Sequence, residues 1–166
     1  MAIEKAVVIG AGVMGAGIAA HLANTGIQVR LLDIIPKDGA DPNALAKGAI
    51  RKMLKAQPAP FMSKGAAGLV RPGNLEDDFR HVGEADWIIE AVVEDLAIKR
   101  KLYRLIEKSR KTGSIVSSNT STLTAESLTK GLSATFAGDF LITHFFNPPR
   151  YMRLLELVAG PRTRPE

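Results

Sequence analysis

The sequence predicts an α/β protein, a doubly wound and mainly parallel sheet with helices on both faces. Three observations predict it. Short apolar runs alternate with helical patterns along the 166 residues. Those runs are apolar almost throughout, as parallel strands covered on both faces must be. The first run passes directly into a glycine-rich turn and then a helix. Strand, helix and strand in succession require crossover connections, which are right-handed in nearly all sheets.

The first strand is KAVVIG at 5–10, and the helix after it covers 13–25. Ala16, Gly17, Ala19, Ala20 and Ala23 keep one side of that helix small enough to lie close to a sheet, and Gly26 suits its carboxyl end. IQVRLLD at 27–33 is the second strand and 42–56 the second helix. Residues 57–74, QPAPFMSKGAAGLVRPGN, break the rhythm and read as an irregular excursion or a mobile loop. WIIEAVV at 87–93 resumes it, with Trp87 in the core, followed by a helix over 95–110. Ile98, Leu102, Leu105 and Ile106 form the stripe that this helix is expected to turn to the sheet. GSIVSS at 113–118, a short helix near 124–130 and FLITHFF at 140–146 complete the series. The tail AGPRTRPE has no core-forming pattern, so the domain is expected over 1–160, with 161–166 starting a linker.

Composition narrows the chemistry. The chain has no cysteine, which excludes disulfides, thiolate catalysis and zinc–thiolate sites, and its three histidines form no close cluster with carboxylates, so no metal is expected. No apolar run reaches bilayer length, and no signal-peptide core follows Met1–Lys5, so the expectation is a cytoplasmic chain without a membrane span. A net charge of +5 permits an anionic partner. The basic residues of 47–55 and 99–111 read as solvated helix faces, and with 5% aromatic residues there is no stacking platform for nucleic acid. A phosphorylated small molecule is the anion expected.

Gly10, Gly12 and Gly15 satisfy G-x-G-x-x-G in the setting that gives the pattern meaning, after a strand and at the start of a helix. Gly10 permits the tight turn, Gly12 lets the backbone approach a pyrophosphate, and Gly15 lets the helix pack closely. The helix amino end supplies N–H groups and the positive end of its dipole. Asp33 closes the second strand, where a carboxylate accepts from ribose hydroxyls and repels a 2′-phosphate, favouring NAD over NADP; the same residue could instead cap the turn before Pro36. The fold is therefore expected to be Rossmann-type.

His144 interrupts one apolar run and Glu156 another, LLELV, and a buried ionisable group needs a partner. If 140–146 and 154–158 fold back around NPPRYMR in a register centred on Arg150, His144 faces Glu156. A histidine oriented by a carboxylate is a recurrent general base, and the same pair could simply brace a hairpin. Asn119 and Ser121 follow a strand end, placed to meet nicotinamide or substrate, while Ser121, Thr122 or Thr124 could equally cap the next helix. Lys99, unfavourable near a helix amino end, finds a sufficient partner in Asp95. His21 reads as a helix-surface residue and His81 as loop.

GAGVMGAGIAAHLANTG, EAVVEDLAIKRKL, SSNTSTL and HFFNPPRYMRLLELV together resemble the NAD-binding domain of the L-3-hydroxyacyl-CoA dehydrogenases of fatty-acid β-oxidation, over nearly the whole chain. The resemblance implies that His144 is the catalytic base, Glu156 its partner and Ser121 a substrate contact. It also implies cofactor contacts from Gly10, Gly12, Val13, Met14, Gly15, Asp33, Ala91, Glu94, Lys99, Asn119 and Asn147, with NAD as cofactor and an acyl-CoA as substrate. Such enzymes complete the acyl-CoA site and form a homodimer through a helical C-terminal domain that this sequence does not encode. NPPRY and QPAP look like the long multidomain members, some fused to an enoyl-CoA hydratase, so the chain is expected to bind NAD yet turn over acetoacetyl-CoA poorly by itself. Another dehydrogenase acting on a hydroxyacid or sugar acid, or a non-catalytic NAD-binding module, are the competing readings.

Overall fold

Seven strands form one sheet in the order β3-β2-β1-β4-β5-β6-β7 in the computed structural model, which describes residues 2–37, 39 and 41–165. They are β1 (Lys5–Ile9), β2 (Gln28–Asp33), β3 (Val70–Asn74), β4 (Trp87–Glu90), β5 (Ile115–Ser118), β6 (Phe140–Phe145) and β7 (Leu155–Ala159). All neighbours run parallel except β6 and β7. The strand order reverses at β1, leaving a crevice at the carboxyl ends of β1 and β4, the place where doubly wound sheets bind ligands.

The two-residue period of the strands builds two cores. Ala6, Val8, Val29, Leu31 and Ile89 face one way, onto α1 (Val13–Asn24), α2 (Ala44–Lys55) and α3 (Lys64–Gly68). Val7, Ile9, Leu32, Ile88 and Val116 face the other, onto α4 (Leu96–Ser109), α5 (Ala125–Thr129) and α6 (Ala134–Gly138). Alternation within runs that are apolar at most positions is what a sheet buried on both faces produces.

Three expectations are corrected. The stretch 57–74 is no loose excursion: it contains α3 and the edge strand β3, which the Pro and Gly of VRPGN conceal. Pro72 is tolerated because an outermost strand has one side without a ladder to break. Gln57–Met62 is irregular yet held: Arg150 donates to the carbonyls of Ala59 and Phe61, and Asn24 brackets Pro60 and Met62. The inward stripe of α4 is Lys99, Leu102, Tyr103 and Ile106, while Ile98 and Leu105 are exposed. Finally, β7 is exposed along its whole length, so Glu156 does not lie in a buried run.

Candidate functional site

At the carboxyl end of β1 the chain turns through Gly10, whose φ of 105° is in the left-handed region that favours glycine. A methyl group there would come within 2.5 Å of the Ala91 carbonyl oxygen, and one on Gly15 would overlap the carbonyl of Gly10. Gly15 thus serves the turn itself, with the Ala91 side chain beside it, more than the packing of helix on strand. Gly12 faces open space, and among the described residues no side chain caps α1 and no acidic residue lies in its first turn. The amino end of a twelve-residue helix is left to an outside anion, flanked by exposed Val13 and half-buried Met14. Asp33 accepts from the Ala11 N–H at 2.6 Å and from the Ile34 N–H at 2.7 Å, so it organises the glycine loop as well as ending β2. A turn that only glycine can make, an uncapped helix and a carboxylate at the end of β2 fit a dinucleotide.

Beside the loop lies a network that centres on Glu90, a residue to which the sequence assigns no role. Glu90 is wholly buried. Its carboxylate accepts from Val92 N–H, Lys99 Nζ, Tyr103 hydroxyl and Ser118 hydroxyl, at 2.8, 2.6, 2.5 and 2.7 Å. A carboxylate inside the apolar run WIIEAVV was the available signal, because a charge buried that deeply must be matched. Lys99 is also 3.0 Å from Glu94, so its partners are Glu90 and Glu94; Asp95 instead caps α4 through the Ile98 N–H. Burial is the largest influence on Glu94 and raises its pKa, but hydrogen bonds from Thr120, Lys99 and Thr122 together bring it below the ordinary carboxylate value. Burial above all, then the Glu90 charge, push the Tyr103 hydroxyl well above its usual range.

Thr120 and Thr122 both donate to Glu94, which ties the loop after β5 to the start of α4. Thr124 caps α5 through the Ser127 N–H, so Ser121, exposed and without a capping bond, is spared that task. Asn119 joins two strand ends: its N–H donates to the Glu90 carbonyl at 2.8 Å, and its Oδ1 accepts from Phe145 N–H at 2.9 Å.

The β6–β7 ladder sets His144 opposite Glu156, the register centred on Arg150. Nδ1 of His144 lies 2.8 Å from Glu156 Oε2, and the histidine side chain is 21% exposed against 50% for the glutamate. Ser121, His144 and Glu156 share a cleft of about 370 Å³ between the 120–126 loop and β7. Asn147 is exposed, at the start of the turn that leaves β6, and lines a separate groove with Gly12 and Val13. The other two histidines stand apart from these clefts. Half-buried His21 meets the Phe145 ring edge-on, with its pKa lowered by burial, and His81 lies in a 3₁₀ turn between Asp78 and Glu84. Trp87 is half-buried against the core, its Nε1 donating to Ser117.

Comparison with known proteins gives this geometry a family. A sequence model of the family described as "3-hydroxyacyl-CoA dehydrogenase, NAD binding domain" matches residues 5–166. The chain belongs to that family. It is similar to a "Probable 3-hydroxyacyl-CoA dehydrogenase" of Bacillus subtilis (strain 168), 49% identical over 99% of this chain and 23% of the relative. A protein of the same printed name from Deinococcus radiodurans is 48% identical over 100% of this chain and 48% of the relative. Among solved structures, the 3-hydroxybutyryl-CoA dehydrogenase of Escherichia coli K12 superposes with a TM-score of 0.82 at 26% identity, over 99% of this chain and 34% of that one. The chain thus spans less than half the length of these relatives. The domain is the family's NAD-binding one, with a Rossmann-type sheet. Among the described residues no helix is long and apolar enough to cross a membrane.

Proposed function

We propose that this domain supplies the redox half of an L-3-hydroxyacyl-CoA dehydrogenase, oxidising L-3-hydroxyacyl-CoA to 3-ketoacyl-CoA in fatty-acid β-oxidation. The observation that carries the reading is the His144–Glu156 pair at 2.8 Å beside Ser121. The glycine loop and the strand ends beside it would hold NAD, which would supply the acceptor for the hydride on the substrate C3. His144 takes the proton of the C3 hydroxyl, the bond from C3 to that oxygen becoming a carbonyl. Because Nδ1 is engaged by Glu156, Nε2 is the nitrogen left for the substrate, and the carboxylate steadies the imidazolium that forms. Ser121 holds the substrate oxygen. The glycine loop and α1 bind the pyrophosphate, Asp33 the ribose, and Ala91, Glu94, Lys99, Asn119 and Asn147 the nicotinamide side.

The exposure of Glu156 favours chemistry over bracing: a pair with a half-exposed carboxylate contributes only about 0–1 kcal/mol to stability, little reason to place a histidine there. We further propose that the domain proper covers 1–160, that the acyl-CoA site and a homodimer contact come from a helical domain following 161–166, and that the protein works in the cytoplasm. Formation of NADH from L-3-hydroxybutyryl-CoA is measured on the chain alone and on the chain joined to a relative's helical domain. The joined protein is expected to turn over and the chain alone to do so poorly; equal rates would overturn the division of labour. In the joined protein His144→Gln is expected to lower kcat by about 10²–10⁴-fold with NAD affinity kept. Unchanged turnover would remove His144 from the reaction.

A further inference from the structure

The cluster around Glu90 does not balance its charge. One ammonium, Lys99, stands against two carboxylates, Glu90 and Glu94, at 2.6 and 3.0 Å. Glu90 and Lys99 are sealed from water, at 0% and 1% exposure, so screening between them is weak, whereas the Glu94 carboxylate is 41% exposed and reaches the surface. The remaining contacts on Glu90 come from the neutral Val92 N–H and the hydroxyls of Tyr103 and Ser118, and those on Glu94 from Thr120 and Thr122 hydroxyls. They stabilise the anions without cancelling the surplus of one negative charge.

Its place in the fold gives that surplus a use. Glu90 ends β4, and the next residue, Ala91, roofs the Gly10 turn. The Glu90 carbonyl holds Asn119, and Asn119 holds Phe145, the neighbour of His144. The charge therefore lies between the glycine loop and the histidine, on the crevice end of the sheet. A nicotinamide ring carries a positive charge when oxidised and none when reduced. A fixed anion at the crevice end of the sheet interacts with one form and not with the other.

We propose that Glu90 is a positioning residue whose charge, shared through Lys99 with half-exposed Glu94, makes this domain prefer oxidised NAD to NADH. It raises the share of bound cofactor ready to accept a hydride. The inference rests on the reading of the crevice as the NAD site and concerns affinity, so it does not depend on turnover.

The test is calorimetric titration of the chain with NAD and, separately, with NADH. Glu90→Gln is expected to shift the affinity ratio towards NADH by about tenfold, equivalent to ~1.4 kcal/mol. Lys99→Met, which leaves two carboxylates without a cation, is expected to shift it the opposite way, whatever it does to both affinities together. Tyr103→Phe removes one hydrogen bond to Glu90 but no charge; it is expected to lower Tm and leave the ratio within twofold of the unsubstituted chain. Opposite shifts support the proposal. A ratio unmoved by Glu90→Gln, with Tm lowered as in Tyr103→Phe, would make Glu90 a brace and overturn it. Should Glu90→Gln fail to fold, the sign of the Lys99→Met shift decides, and no shift or a shift towards NADH overturns it. Failure of the unsubstituted chain to bind either form would instead sink the cofactor reading beneath it.

Discussion

Glu156 reaches His144 from the solvent side, on a strand exposed along its whole length. Its substitution by Gln removes the charge that steadies an imidazolium while keeping a hydrogen-bonding group in place. The expected outcome is kcat lowered about 10- to 100-fold in the joined protein, with Tm unchanged to within the effect of a surface pair, ~0–1 kcal/mol. A large fall in Tm with turnover intact would show a brace. Asp33 makes a second prediction at this scale. With its carboxylate at the glycine loop, the chain is expected to bind NAD more than about tenfold tighter than NADP, and Asp33→Ala to narrow that gap. Equal affinities in the unsubstituted chain, by calorimetry, would remove the residue from cofactor selection. These two sites were legible because each breaks a local pattern: an acid at a strand end after a glycine turn, and an imidazole in an apolar run. Glu90 breaks its run in the same way. Its meaning depends on Lys99, Tyr103 and Ser118, which only the tertiary structure brings to it.

Elements meet at their amino ends through Asp86, just before β4. Its carboxylate accepts from the N–H groups of Glu4 and Lys5 and pairs with Lys111, and its backbone joins β1 to β5. The Lys111 ammonium first, then those two N–H groups, bring its pKa from 3.8 down to about 2. A depressed carboxyl contributes stability that is complete above its unfolded value and is lost as the pH falls through the folded one. Stability is therefore expected to decline as pH falls from about 4 towards 2, and Asp86→Asn to flatten that decline, as read by thermal melts across the window. An unchanged slope would show that other carboxylates govern the acid limb. Most elements could be read from pattern because burial on both faces of a parallel sheet leaves runs with few polar positions. β3 could not, since an edge strand needs neither continuous apolarity nor every N–H, and VRPGN spends its middle on Pro and Gly. The inner face of α4 departs from its apolar spacing because ion pairs bury Lys99, which rotates the stripe.

The sheet has two free margins of different character. β3 is guarded by Pro72 and Arg71, whereas β7 presents Leu155, Leu157 and Val158 to solvent, with Met152 and Leu154 just before it. An open ladder edge with apolar side chains favours pairing with another chain. The chain is expected to self-associate as concentration rises, and Leu157→Lys to return it towards monomer in sedimentation velocity; identical profiles for the two would show that β7 is not the contact. The carboxyl end is fastened at the other pole. Thr163 donates to the Phe140 carbonyl, the Arg164 N–H to that of Gly138, and the Arg164 guanidinium pairs with buried Asp139, all at the start of β6. A fluorophore or affinity handle carried beyond Arg164 would thus emerge a full strand length from the nucleotide crevice, so titrations can be run on an immobilised or labelled chain with the crevice unobstructed.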